Sequence, residues 1–197
     1  ELNEREDFWH GTLATTLPNQ LRKLGYRSIY WYGGNPTYGN FDKYGPAVGF
    51  DQVMGATDFC PPDSPRTWVG IYDHIFLQNA ARLIQEMDDG TPTFHYVYTT
   101  SNHGPYKLPL ESLGFDADSV LKDLPESVRK NNKKRKVLGT YWYSDKAISD
   151  FIIEMKKAYP DSLFIVTGDH SYLPIHPGDT MERQEITLRE QYCTSFA

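Results

Sequence analysis

Cysteine is scarce in this 197-residue chain, with Cys60 and Cys193 as the only two. Thiols so few and so far apart describe neither a disulfide scaffold nor a zinc knuckle, and they leave the redox compartment open. No apolar run approaches the roughly 18 residues a membrane span needs, and no signal-peptide pattern opens the chain. A basic excess is also missing. The net charge is −6 and the pI is about 5.5, which argues against a general nucleic-acid binder. No internal repeat is visible. Hydrophobic residues make up 39% of the chain and mean hydropathy is −0.58, as in a soluble globular protein. The length suits one large domain with a substantial core. Aromatic residues are plentiful at 14%, fourteen of them Tyr, which fits aromatic-lined clefts.

The remaining pattern alternates helix and strand. Residues 16–24 read as a helix, with Thr16 at the N-cap, Pro18 in the first turn and Gly25 at the C-terminal stop. A strand over 27–32 follows, then a stretch over 33–68 rich in Gly and Pro that reads as loop. Ile75, Phe76, Ala80, Leu83, Ile84 and Met87 recur at helical spacing over 73–87, ahead of a strand over 93–100. Residues 108–137 are polar and read as irregular or short-helical. A helix over 141–158 places Ala147, Ile148, Phe151, Ile152 and Met155 on one face, and Pro160 ends it. The run over 162–167 reads as a buried central strand. Residues from Ser171 onward read as loop with one short helix. This order implies a parallel sheet with helices on both faces. A doubly wound enzyme normally has a strand before its first helix, so the expectation is the C-terminal part of a domain.

Each expected strand runs into a Gly-containing polar loop: Gly33-Gly34-Asn35-Pro36, Ser101-Asn102-His103-Gly104-Pro105, and Gly168-Asp169-His170. Ligands gather at the carboxyl ends of strands in open α/β sheets, so the three loops read as one site. Asp and His together suit Mn, Zn or a similar divalent ion. Read alone, Gly168-Asp169-His170 equally describes a turn-capping aspartate beside a surface histidine. Asn35 and Asn40 also suit Gly-rich turns. His95 reads as a satisfied core or sheet-face residue, Asp145 as structural, and His10, His74 and His176 as residues of the surface or of the layer behind the site. The run from Lys130 to Lys136, with five basic residues in seven, reads as the solvated start of a helix or as a surface attracted to an anionic membrane.

Four blocks in order resemble the lipoteichoic-acid-synthase branch of the alkaline phosphatase/sulfatase superfamily, the membrane-anchored phosphoglycerol transferases. They are Leu17-Pro18 through Leu24-Gly25-Tyr26; Tyr32-Gly33-Gly34-Asn35 through Asn40, then Gly49-Phe50-Asp51; Thr100-Ser101-Asn102-His103-Gly104-Pro105-Tyr106; and Tyr143-Ser144-Asp145 through Phe151, then Gly168-Asp169-His170. The resemblance implies a three-layer α/β/α alkaline-phosphatase-like fold with a mostly parallel sheet, residues 1–197 being a single catalytic-domain fragment. It implies a threonine nucleophile, carried by a segment upstream of this region, that attacks a phospholipid phosphodiester and passes the headgroup to an acceptor hydroxyl. Thr12, Thr15 and Thr16 lack the strand context for that role.

By the same resemblance Asp169 and His170 bind one divalent metal ion, Mn or Mg ahead of Zn. His103 contacts the phosphoryl group or protonates the leaving oxygen, and Asn35 and Asn40 line the glycerol or phosphate pocket. The implied partners are a phospholipid headgroup and, through the parent protein, a membrane surface, with no nucleic acid. The implied location is a bacterial cell membrane with the catalytic domain facing outward. Asn35 stands where the family often has an acidic residue, and Phe41 where some members have Arg. The alternatives are a sulfatase, a phosphoethanolamine transferase, or a degenerate lipid- or ligand-binding domain. The sulfatase signature requires Arg where Cys60-Pro61-Pro62-Asp63-Ser64 has Ser64, so that stretch reads as a Pro-rich loop.

Overall fold

The structure is a computed structural model that describes residues 2–10 and 13–170. Three parallel strands form a sheet in the order β2-β1-β3, with β1 at Arg27–Tyr32, β2 at Gln52–Gly55 and β3 at Thr93–Tyr98. Ile29 pairs with Gln52 on one side and His95 on the other; Tyr32 likewise pairs with Gly55 and Tyr98. Both faces of β1 are buried, which explains its unbroken run of β-branched and aromatic residues. Successive side chains of a strand point to opposite faces. Ile29 and Trp31 meet Phe76, Ala80, Ile84, Ala147 and Met155, whereas Tyr30 and Tyr32 meet Phe41, Val48 and Phe50.

Helices supply those two outer layers. After α1 (Leu17–Arg22), helix α2 (Phe41–Ala47) covers the tyrosine face, and the one-turn α3 (Ala56–Phe59) follows β2. Helix α4 (Asp73–Glu86) buries Phe76, Leu77, Ala80, Ala81 and Ile84, a stripe at three- and four-residue spacing that explains its stability. It packs beside α7 (Asn132–Ala158), and the short α5 (Ala117–Val120) and α6 (Glu126–Arg129) precede α7. The three-layer α/β/α expectation therefore holds, as do the strand over 27–32, the parallel sheet and the helix over 73–87. Gly25 has φ +84°, the left-handed turn that stops α1. Thr16 stands at the N-cap, but its hydroxyl donates to the carbonyls of Leu13 and Val48 rather than capping the helix.

Three expectations need correction. The stretch over 33–68 holds α2, β2 and α3. Gly45 and Pro46 disguise α2 as loop, yet Gly45 is needed there because a Cβ would lie 2.4 Å from Val53 Cγ2. The polar stretch over 108–137 contains a satellite core of Leu108, Leu110, Phe115 and Leu121 packed with Tyr143, and α7 begins at Asn132 rather than 141. The Asn131 side chain caps that helix by accepting from the N–H groups of Lys133 and Lys134. Finally, residues 162–167 form no strand. They carry no regular structure up to a lone bridge position at Thr167, with Leu163 84% and Ile165 57% exposed. Apolar β-prone residues make a strand only when a ladder partner aligns with them. Here Phe164 packs on the core while its neighbours face outward. Expectations for residues from Ser171 onward lie outside the described residues.

Candidate functional site at the carboxyl end of the sheet

The loop that follows β3 is fixed from below by Asp73, the first residue of α4, whose side chain is fully buried. Its Oδ1 accepts the N–H groups of Thr100 and Ser101, both at 3.1 Å, and its Oδ2 accepts the Ser144 hydroxyl at 3.0 Å. The Ser101 hydroxyl accepts the Asp73 N–H in return. Burial pushes the Asp73 carboxyl up, and the bonds from Thr100, Ser101 and Ser144 oppose that push. One residue along, Tyr143 of α7 meets both the backbone N–H and the ring Nδ1 of His74, and burial pushes its hydroxyl up. Thus β3, α4 and α7 converge on one knot directly beneath His103. Asp145, read as structural, is exposed, and its neighbour Ser144 carries the contact.

His103 itself is exposed, two residues beyond the knot. Its Nδ1 lies 2.9 Å from the Gly104 carbonyl oxygen. A carbonyl only accepts, so Nδ1 carries the proton and Nε2 presents its lone pair when the ring is neutral. Trp68 holds the same loop from the other side. Its indole N–H donates to the Gly104 carbonyl at 2.8 Å, and its ring meets His103 edge to face at 5.0 Å. Trp68 sits at the tip of a turn joined to the β1 loop by the Gly34–Gly70 bridge. Only glycine fits at 70, since a Cβ there would lie 2.3 Å from the Gly33 carbonyl oxygen. Sequence reasoning missed both Asp73 and Trp68. An aromatic at the tip of a Gly- and Pro-rich loop was the available signal for Trp68; nothing in the helical pattern distinguishes Asp73 from an ordinary first-turn acid.

Asp169 and His170 reach the same end of the sheet. Tyr98, the last residue of β3, donates its hydroxyl to Asp169 Oδ2 at 3.3 Å. His170 Nε2 lies 3.6 Å from that oxygen, and the His170 N–H donates to Asp169 Oδ1 at 2.9 Å. Two donors sharing one ion at about 2.1 Å each can stand no more than about 4.2 Å apart, so the pair fits as two ligands of one divalent ion. Among the described residues no group of three or more His, Cys, Asp or Glu side chains is placed to hold a metal ion. Asn35 and Asn40 lie on the loop after β1. Asn35 is exposed and its Oδ1 accepts the Thr37 N–H, whereas Asn40 is half-buried, with φ 53°, at the start of α2. Phe41 is a core residue, stacked on Tyr30 at 5.6 Å.

The other singled-out groups lie apart from this chemistry. His95 accepts the Trp31 indole N–H at 3.0 Å, and burial first, with help from Arg27, depresses its ring to about 4. Cys60 is buried in the core and burial pushes its thiol up to about 11, so it is a poor nucleophile. His10 is exposed, and His176 lies outside the described residues.

The comparison with known families is direct: the Sulfatase family model matches residues 11–189. The chain belongs to the sulfatase family. This sulfatase-family chain is 23% identical over 158 residues to a lipoteichoic acid synthase-like protein, YvgJ, of Bacillus subtilis (strain 168), covering 79% of this chain and 24% of that one. It is also 23% identical over 180 residues to phosphoglycerol transferase I of Xanthomonas euvesicatoria pv. vesicatoria (strain 85-10), covering 87% and 24%. The chain thus spans about a quarter of the length of these curated relatives. Its fold matches the crystal structure of the lipoteichoic acid synthase LtaP from Listeria monocytogenes with a TM-score of 0.72 at 20% identity, over 91% of this chain and 44% of that one.

Proposed function

We propose that this sulfatase-family chain is part of a metal-dependent transferase that moves the phosphodiester headgroup of a phospholipid, phosphoglycerol first among the candidates, to an acceptor hydroxyl. The observation that carries the reading is the Tyr98–Asp169 hydrogen bond. It brings the Asp169–His170 donor pair to the end of β3, the strand whose next loop bears His103. Asp169 and His170 would hold one divalent ion, Mn or Mg ahead of Zn; when bound it would neutralise phosphoryl charge and lower the pKa of the attacking hydroxyl. That hydroxyl is assigned, by the family resemblance, to a threonine upstream of this region. It forms the new P–O bond as the diacylglycerol oxygen leaves, and a second attack by the acceptor restores it.

His103 serves this chemistry through Nε2, which, once protonated, contacts a phosphoryl oxygen or donates its proton to the departing oxygen. Trp68 and the Asp73 knot keep that ring in place. Asn35 and Asn40 offer amide groups to the headgroup hydroxyls. The relatives' names, one a lipoteichoic acid synthase-like protein and one a phosphoglycerol transferase, favour a headgroup donor over an aryl sulfate, and the burial of Cys60 agrees with that preference. The location follows from the reading: an outward-facing domain of a bacterial membrane protein, although no helix among the described residues is long and apolar enough to cross a membrane.

The test is to incubate the full gene product with Mn and fluorescent phosphatidylglycerol, with phosphatidylethanolamine and an aryl sulfate in parallel. Diacylglycerol release from phosphatidylglycerol that His170→Ala abolishes is the expected result. Turnover of the aryl sulfate alone would overturn the reading and make the protein a sulfatase.

A further inference from the structure

Helix α7 is longer than the sheet it covers. Its Ser144 bonds Asp73 at the level of the loop after β3, and Met155, further along, packs into the core under the sheet. The residues before Ser144 therefore extend past the carboxyl end of the strands. From Ser144 back to Asn132, a rise of 1.5 Å per residue gives an overhang of about 18 Å. The satellite core of Leu110 and Phe115 packs against Gly139 on this overhang. The overhang stands at the same end of the molecule as His103 and Asp169.

The overhang carries a local charge opposite to that of the whole chain. The chain has net charge −6, yet 129–136 contains six Lys or Arg and no Asp or Glu. Arg129, Lys130, Lys133 and Lys136 are exposed. Glu126 pairs with Lys130 and Asp123 is nearby in sequence, whereas Lys133 and Lys136, three residues apart on one helical face, have no acidic partner among the described residues. Cations in the first turns of a helix oppose its dipole, so the stability of α7 does not account for them. Shortly before them in the chain come two exposed aliphatic side chains, Val120 (41%) and Leu124 (37%), with Leu124 tied to the cluster because its carbonyl accepts Arg129 Nε–H.

We propose that the 120–136 segment is a docking surface for an anionic lipid bilayer, which holds the carboxyl end of the sheet against the membrane. Cations attract anionic headgroups through the interfacial potential, and the aliphatic pair enters the headgroup boundary. A soluble polyanion would use the cations and gain nothing from Val120 and Leu124, so the observations favour the bilayer. The inference deepens the lipid-headgroup reading above. Its test needs neither metal nor turnover, so the two can fail separately.

The experiment is co-sedimentation of the chain with phosphatidylcholine vesicles made with and without phosphatidylglycerol, with soluble polyphosphate in parallel. The chain should pellet with the anionic vesicles and stay in solution with the neutral ones. Lys133→Ala with Lys136→Ala should weaken binding about thirtyfold at low salt, at ~1 kcal/mol per residue, with an unchanged far-UV spectrum. Leu124→Ser should remove the part of the binding that survives high salt. Lys157→Ala, exposed at the other end of α7, should bind as the parent chain does. Equal binding to both vesicle types, indifference to the double substitution, or capture of polyphosphate while vesicles are ignored would each overturn the proposal.

Discussion

Two loops at the carboxyl end of the sheet carry the candidate chemistry, and the protein holds them in different ways. The His103 loop rests on a fully buried carboxylate that takes two backbone N–H groups and a hydroxyl, and an indole clamps it from above. The Asp169–His170 pair has side chains 59% and 55% exposed, with a 3.3 Å bond from Tyr98 onto Asp169. A general acid or phosphoryl contact must be in position before substrate arrives, which buried hydrogen bonds achieve. Metal ligands can be ordered by the ion itself, which binds only the folded state and so adds to its stability. Under the proposed function, the contrast is between a loop anchored in the core and a pair that a bound ion would complete.

The largest expected effect breaks the first side of that contrast. Asp73→Ala strips partners from two backbone N–H groups and the Ser144 hydroxyl, and should cost about 3–5 kcal/mol, read as a lower urea midpoint. Asp73→Asn keeps an acceptor for the N–H groups and should cost clearly less. The next effect tests the second side. Saturating Mn, at about a hundred times its Kd, should stabilise the full gene product by roughly 2.7 kcal/mol in thermal unfolding. Asp169→Ala with His170→Ala should abolish that gain. A persisting Mn response in this double variant would remove both residues from the metal site.

Acid offers a third separation, because His95 on β3 is held neutral by its burial in the sheet. The folded protein holds His95 neutral down to about pH 4, whereas the unfolded chain takes up the proton near the ordinary value of about 6.5. The unfolded state therefore binds more protons between these values, and stability should fall as pH drops from 6.5 towards 4, by on the order of 1–3 kcal/mol. His95→Gln, measured by urea unfolding across that window, should flatten the decline. A smaller effect is expected from Ser144→Ala, about 1 kcal/mol, since Asp73 keeps its two backbone donors. Smallest of all, the Asp169/His170 double variant without metal should shift stability by less than about 0.5 kcal/mol. A loss comparable to that of Asp73→Ala would erase the distinction between the two loops.

Much of this site is legible in the amino-acid sequence. The loops bearing Asn35, His103 and Asp169–His170 follow from punctuation by Gly and Pro, and all three lie at the carboxyl end of the sheet or run to it. The helix over 73–87 is legible because its apolar stripe repeats over four turns. Shorter elements are not. Four residues of β2 contain too few alternations to announce a strand, and its identity comes from its pairing with β1. Residues 162–167 err the other way, with strong strand character but no ladder among the described residues. Trp68 and Asp73 lie 35 and 30 residues before His103 in the chain, so no local pattern could tie them to it.

What the sequence by itself determined is the periodicity of the long elements, the turn residues that end them, and the types of side chain delivered to those ends. These are local properties, set by φ/ψ preference and by the spacing of apolar groups. Tertiary structure alone decided which acid would be buried as the support for the His103 loop, which indole would clamp it, and that the basic start of α7 extends past the carboxyl end of the sheet. Each of these depends on contacts between residues distant in sequence, where pairing and burial outweigh local preference.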